Sequence, residues 1–282
     1  MANNKNAARP FLKWAGNKYR IMDHIQDMLP EGDRLVEPFA GSGAVFMNTH
    51  YSTYLLADNN LDLISLYQIL SDQGEEFIER CARLFRDTTN KEAYYYRRRE
   101  EFNKTKDTVR KAALFIYLNR HGYNGLCRYN SKGGFNVPFG RYKKPYFPAK
   151  EMLAFHLKSQ HAHFVHLDFA AVFNEIKSGD VIYCDPPYVP LSKSSNFTTY
   201  SAGGFDLDQQ HLLAQLAEQA RHKDIPVLIS NHNTQFTRKA YRSADNIKRL
   251  QVRRFISCNG QQRKPASELL ALFQNQPQSR VA

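Results

Sequence analysis

The stretch Val181-Ile182-Tyr183-Cys184-Asp185-Pro186-Pro187-Tyr188 constrains the chain most. A short apolar run, introduced by the turn signal Ser178-Gly179-Asp180, reads as a buried strand. It stops at an acid. Two prolines follow, which can neither continue a strand nor donate backbone hydrogen bonds. The chain therefore leaves a sheet in a stiff loop at a strand's carboxyl end, where open α/β sheets hold their ligands. The loop offers the Asp185 carboxylate, the carbonyls of Pro186 and Pro187, and the ring of Tyr188. That set fits a flat heterocycle with an exocyclic amino group: carboxylate and carbonyl accept the two amino hydrogens, and the ring stacks on the base. A strand that merely ends in a proline-rich turn accounts for the same residues about as well.

The motif resembles the Asp-Pro-Pro-Tyr of the amino-methyltransferases, which methylate exocyclic amines from S-adenosylmethionine. Relatives with Asn in the first position act on glutamine side chains and on cytosine; Asp leans toward adenine. Charge points to the partner. The net charge is +12 over 282 residues, which suits a polyanion. From Arg97 to Lys150 there are 14 Lys and Arg against 3 Asp and Glu, so this one segment holds nearly all of the excess. Cys81, Cys127, Cys184 and Cys258 stand far apart with no CxxC pair, which argues against a zinc or redox motif and fits a reducing cytoplasm. Residues Met1 to Arg9 are polar and read as a disordered start rather than a signal peptide, and no run is long enough to span a bilayer.

Along the chain, Leu35 to Phe39 reads as a strand that runs straight into Ala40-Gly41-Ser42-Gly43. Strand, glycine turn and helix form a nucleotide-binding arrangement, although only two glycines occur and an ordinary tight turn is the plain alternative. A second strand, Thr53 to Asp58, ends in an acid where a ribose would find its acceptor; the same acid could cap the helix that starts near Leu61. Residues 61–145 interrupt the strand–helix alternation. Helical patterns at 61–70, 75–85, 94–102 and 110–119 give way to a glycine- and asparagine-rich stretch. Arg128 to Arg141 reads as a hairpin with Ser131-Lys132-Gly133-Gly134 near its tip. Aromatics interleave with basic residues here, as nucleic-acid surfaces require, though Phe115, Tyr117 and Phe139 are expected in the core. After Pro148 the α/β rhythm resumes. His163 to Phe169 ends in Asp168-Phe169, a candidate contact for a cofactor's adenine or simply a cap and a core ring. A polar segment from Tyr188 to Phe205 is expected to be mobile. Pro226 to Asn231 is another buried strand, and His232 after it is expected to be structural rather than a base.

Taken together and in order, Lys13-Trp14-Ala15-Gly16, Glu37 to Gly43, Asn124 to Asn130, Phe135 to Tyr142 and Asp185 to Tyr188 identify the chain as similar to the Dam family of DNA adenine-N6 methyltransferases, whose usual site is GATC. The resemblance runs from about Phe11 to Phe273; Asn17 stands where the family usually has a second glycine. It implies a Rossmann-like α/β sheet of seven strands, the last antiparallel, with an inserted, mainly helical target-recognition domain that carries a β-hairpin. The division is then 1–60 and 146–273 for the catalytic domain, 61–145 for recognition, and 274–282 for a disordered tail. It implies S-adenosylmethionine as cofactor, with S-adenosylhomocysteine as product, and contacts from Trp14, Lys18, Phe39, Gly41, Gly43, Asp58, Asp168, Phe169 and Asp185. Asp185, Pro186, Pro187 and Tyr188 become the catalytic set. Double-stranded DNA becomes the partner. Lys13 is implied at the first guanine, Tyr123 as a wedge beside the flipped adenine, Leu126 and Pro138 near the thymine, and Arg128 at the guanine opposite the last cytosine. Arg99, Arg120, Asn124, Asn130, Asn136, Tyr142 and Lys143 complete the DNA-binding set. A monomer without metal, in the cytoplasm, is expected. An RNA or cytosine methyltransferase, and a DNA-binding module that has lost catalysis, are the alternatives.

Overall fold

The computed structural model describes residues 7–189, 205–252 and 266–275. The expectations for residues 1–6, for the polar segment 190–204 and for the tail beyond 275 lie outside the described residues. Seven strands form one sheet: β1 (Arg34–Glu37), β2 (Thr53–Asp58), β3 (Ala162–His166), β4 (Asp180–Cys184), β5 (Val227–His232), β6 (Asn246–Val252) and β7 (Ala266–Phe273), in the order β3-β2-β1-β4-β5-β7-β6. β1 pairs in parallel with β2 and β4, and β4 with β5; β7 runs antiparallel to both β5 and β6. The seven strands and the reversed last strand are those the sequence led one to expect. Chain order changes direction between β1 and β4, so these neighbouring parallel strands deliver two loops at their carboxyl ends, at a switch point of the sheet. β4 is buried at every position, which is why its sequence is a continuous apolar run rather than an alternating one. Its first residue, Asp180, takes a two-pronged grip from Arg34, with Nε–Oδ1 at 2.8 Å and Nη2–Oδ2 at 2.7 Å.

The chain divides into two compact units. The first comprises residues 1–19, 40–49 and 58–166; the second comprises 20–39, 50–57 and 167–282. The first unit carries α2 (Ala44–Asn48), α3 (Leu61–Ala82), α4 (Glu92–Lys104), α5 (Thr108–His121) and α6 (Ala149–Ser159). Phe11, Phe46, Tyr67, Phe155 and Phe164 pack ring against ring in one part of its core; Phe102, Phe115 and Phe135 pack in another. The helices expected at 61–70 and 75–85 are one helix, α3, interrupted at Gly74, where φ 49° and ψ −121° are not helical. A Cβ there would lie 2.6 Å from His156 Nε2, so the glycine lets α6 approach α3 closely. Phe115 and Tyr117 are buried as expected, but the fully buried ring of the loop is Phe135, and Phe139 is only half-buried. The expected hairpin is a minimal one. It closes by a single antiparallel bridge, Tyr129–Phe135, with Asn130 bonding across its own turn to the amides of Lys132 and Gly134.

The second unit holds α1 (Met22–Met28), α7 (Phe169–Val172), α8 (Leu207–His222), α9 (Gln235–Ala240) and most of the sheet. The three longest helices among the described residues, α3, α5 and α8, start on side-chain caps. Asp206 caps α8 in a reciprocal capping box with Gln209, and Asn60 and Asp107 do the same service singly for α3 and α5.

Candidate active site and nucleic-acid interface

In the second unit, Asp185-Pro186-Pro187-Tyr188 leaves β4 as a loop with few backbone donors, so side chains supply its anchorage. Three successive residues at the carboxyl end of β5 provide most of it. Ser230 Oγ donates to Asp185 Oδ1 at 3.1 Å and lies 3.0 Å from the Tyr188 hydroxyl. Asn231 Oδ1 accepts the amide of Val189 at 3.2 Å. His232 Nδ1 lies 2.8 Å from the Val189 carbonyl, and its ring meets Tyr188 edge-on at 4.6 Å. Tyr188 also donates to Glu268 Oε2 on β7 at 3.2 Å, and Gln210 Nε2 of α8 donates to the Pro187 carbonyl at 2.8 Å. Burial, together with the Asp185 charge, pushes the phenols of Tyr183 and Tyr188 well above the usual range, so both stay protonated donors.

Sequence reasoning named Asp185 to Tyr188 but missed Ser230, Gln210 and Glu268 as their holders. The available signal was a polar pair, Ser230-Asn231, at the end of an otherwise apolar strand. His232 has the structural place expected of it. Elsewhere in this unit, Phe39 stacks on Phe169 at 5.5 Å, and Phe205 meets both edge-on. Asp168 is exposed and caps α7 through the amide of Ala170 at 2.9 Å, so the plain reading of Asp168-Phe169 as cap and core ring holds in the geometry.

In the first unit, the glycine turn and Asp58 are joined directly. Asp58 Oδ2 accepts the Gly41 amide at 3.0 Å, and Oδ1 accepts the Asn60 amide at 2.9 Å. Burial pushes the Asp58 carboxyl up, against the pull of those two amides. The cap of α3 is Asn60, not Asp58: its side chain accepts the Leu63 amide at 3.1 Å. Gly41 sits at φ 48°, and a Cβ on it would come within 3.0 Å of the Trp14 indole nitrogen. The turn therefore lies close against Trp14, and the Tyr67 hydroxyl donates to its Gly41 carbonyl. Lys18 is buried and donates to the Gly16 carbonyl.

The basic segment of the same unit hangs from the end of α5. Tyr123 is 50 % exposed on a turn that uses left-handed Asn124 and Gly125. Asn124, Arg128, Asn130, Pro138 and Lys143 are exposed too; Leu126, Asn136 and Tyr142 are partly so. Arg128 rests its fork on Asn136, with Nε–Oδ1 at 2.8 Å and Nη2–O at 3.2 Å. Lys13 is gripped through its backbone by the buried Asn119, whose Oδ1 takes the amide at 2.9 Å and whose Nδ2 donates to the carbonyl at 2.7 Å. Its ammonium lies 3.8 Å from the Tyr142 ring centre, and burial beside Arg120 lowers its pKa to about 8. Arg99 is half-buried over Tyr96 and donates to the Val137 carbonyl at 3.0 Å. Arg120, expected on the DNA surface, is inside instead. It is 8 % exposed and donates to the carbonyls of Tyr146 and Phe11, because a guanidinium taken out of water must find acceptors.

A family model for the D12 class N6 adenine-specific DNA methyltransferases matches residues 14–256. The chain belongs to this family. The methyltransferase is 53% identical over 265 residues to the DNA adenine methylase of Escherichia coli (strain K12), covering 94% of this chain and 95% of that protein. It is 52% identical over 266 residues to that of Salmonella typhi, covering 94% and 95%. Against that of Vibrio cholerae serotype O1 (strain ATCC 39541 / Classical Ogawa 395 / O395) the identity is 49% over 266 residues, covering 94% and 96%. The enzyme methylates adenine in DNA at N6 and so requires a methyl donor. Among its described residues no helix is long and apolar enough to cross a membrane, and no group of three His, Cys, Asp or Glu could hold a metal ion.

Proposed function

We propose that this enzyme transfers a methyl group from S-adenosylmethionine to the N6 amine of an adenine flipped out of double-stranded GATC. The observation that carries the reading is the Asp185 carboxylate, held by Ser230 in a proline loop at the carboxyl end of β4. Adenine's amino nitrogen is a weak nucleophile because its lone pair is delocalised into the ring. Accepting both amino hydrogens at Asp185 and at a proline carbonyl favours the tetrahedral nitrogen of the transition state. Gln210 already occupies the Pro187 carbonyl, which leaves that of Pro186 for the amine. Tyr188 would stack on the flipped base.

The residues present fit the donor. A Cβ on Gly41 would crowd the Trp14 indole, and Asp58 couples the turn to the end of β2. When bound, the donor supplies a methyl group already activated on a sulfonium. Trp14, Lys18, Gly41, Gly43 and Asp58 would hold it in the first unit, with Asp58 toward the ribose hydroxyls. The family resemblance adds Phe39, Asp168, Phe169 and Asp185 to the proposed donor contacts. In this reading residues 61–145 are the recognition domain. Lys13 reads the first guanine, Tyr123 fills the place of the flipped adenine, Leu126 and Pro138 meet the thymine, and Arg128 reads the guanine opposite the last cytosine. Arg99, Asn124, Asn130, Asn136, Tyr142 and Lys143 meet the backbone. The enzyme works as a monomer, in the cytoplasm where the DNA is.

Methylation of plasmid DNA, followed by digestion with methyl-sensitive and methyl-dependent GATC endonucleases, tests the reading. Protection from the first and cutting by the second are expected. Methylation found on cytosine, on RNA, or at adenines outside GATC overturns it.

A further inference from the structure

We propose that Gln210 is a positioning residue for methyl transfer: its amide holds the Pro187 carbonyl and so fixes the backbone that carries Asp185 and Tyr188. The proposal rests on the role given to Asp185 above. Gln210 lies on α8 and is fully buried, as are Asn231 and Tyr241. Buried amides and phenols are costly unless each group has a partner. Here the partners also dictate direction. Asn231 Oδ1 accepts the amides of Val189 and His232, so its Nδ2 faces Gln210 Oε1 at 3.0 Å and the Tyr241 oxygen at 3.0 Å. Tyr241 in turn donates to Gln210 Oε1 at 3.2 Å. With Oε1 filled from two sides, the Gln210 amide has one orientation, and its Nε2 must point at the loop, where it meets the Pro187 carbonyl at 2.8 Å. Burial pushes the Tyr241 phenol up, so its proton stays in place.

The target of this bond is the loop's remaining freedom. Proline rings fix φ at Pro186 and Pro187. Rotation about ψ of Pro187 still swings the plane that leads to Tyr188, and holding the Pro187 carbonyl stops it. A side chain that touches neither donor nor base thereby sets the aim of those that do.

Gln210→Met keeps length and bulk and removes the donor. Single-turnover methyl transfer should fall about a hundredfold, as expected when reacting groups are misplaced. Affinities for the donor, by calorimetry, and for duplex GATC DNA should stay within about twofold. Tyr241→Phe releases one of the two bonds that orient the amide and should cost about fivefold. A folded Gln210→Met enzyme with the wild-type rate overturns the proposal, provided Asp185→Ala is inactive in the same assay. If Asp185→Ala is active, the reading of the site fails and not only this refinement of it. If Gln210→Met does not fold, Tyr241→Phe decides, and an unchanged single-turnover rate for it overturns the proposal.

Discussion

The two units hold their loops by opposite means. In the second, the Asp185 loop is tied by polar side chains of neighbouring elements: Asn231, Gln210 and Tyr241 bond to one another, Ser230 bonds to Asp185, Tyr183 and Tyr188, and Glu268 takes the Tyr188 hydroxyl. In the first, cations in and beside the segment from Gly122 to Tyr142 stay at or near the surface, resting on rings and on a side-chain amide: Lys13 over Tyr142, Arg99 over Tyr96, Arg128 on Asn136. A network of interlocked side-chain bonds fixes acceptors in space and suits a step in which one nitrogen must be aimed. Half-engaged cations keep donors available and suit a surface that meets phosphates and base edges. The difference predicts that changes in the second unit act on rate, and changes in the first on binding and discrimination.

Asp185→Ala should break the comparison most visibly if the comparison is wrong. Transfer should fall about a thousandfold or more, while duplex affinity in gel-shift titration stays near wild type. A loss confined to affinity would reverse the roles of the two units. Acid should strike the first unit. His121 is buried, its pKa lowered to about 4 from 6.5 chiefly by burial, with Lys13 and Arg120 adding to the effect. A base whose folded pKa is depressed contributes stability above its unfolded value and loses it as the pH falls. Stability worth up to about 3 kcal/mol should therefore disappear between pH 6.5 and 4. Hydrogen exchange should show this in α5 more than in β4 and β5.

Arg128→Ala should cost about 1–3 kcal/mol of discrimination at the last base of GATC and leave the first position intact. Equal losses on all four last-base variants would mean that Arg128 meets only phosphate. The smallest effect belongs to Lys13, whose pKa of about 8 places its charge within reach of ordinary buffers. Discrimination at the first base should weaken as the pH rises past that value. Gly125→Ala should mimic the change at constant pH, because its Cβ would sit 2.2 Å from Lys13 Cβ. A first-base preference unmoved by either would take Lys13 out of the reading set.

Much of the sheet was legible in the sequence because its strands announce themselves locally. The apolar run of β4, the proline stop, the glycine turn after β1 and the acid ending β2 need no distant information. What failed to show was long-range. Ser230 meets Asp185 across 45 positions, Gln210 meets Pro187 across 23 and Glu268 meets Tyr188 across 80, and no periodicity links such partners. The helical patterns at 61–70 and 75–85 read as separate, whereas they belong to one bent helix whose bend at Gly74 leaves room for His156 of α6. Arg120 belongs to the basic segment by charge, but it sits in the last turn of α5, where Asn119 and His121 are buried with it.

Arg128 at rest on Asn136 bears on how such an enzyme searches. Two of its donors are already engaged before any DNA arrives. If Arg128 reads a guanine as proposed, taking hold of it is a change of partners, whose yield is the difference between two similar bonds. Reading by exchange would give up some grip in return for selectivity.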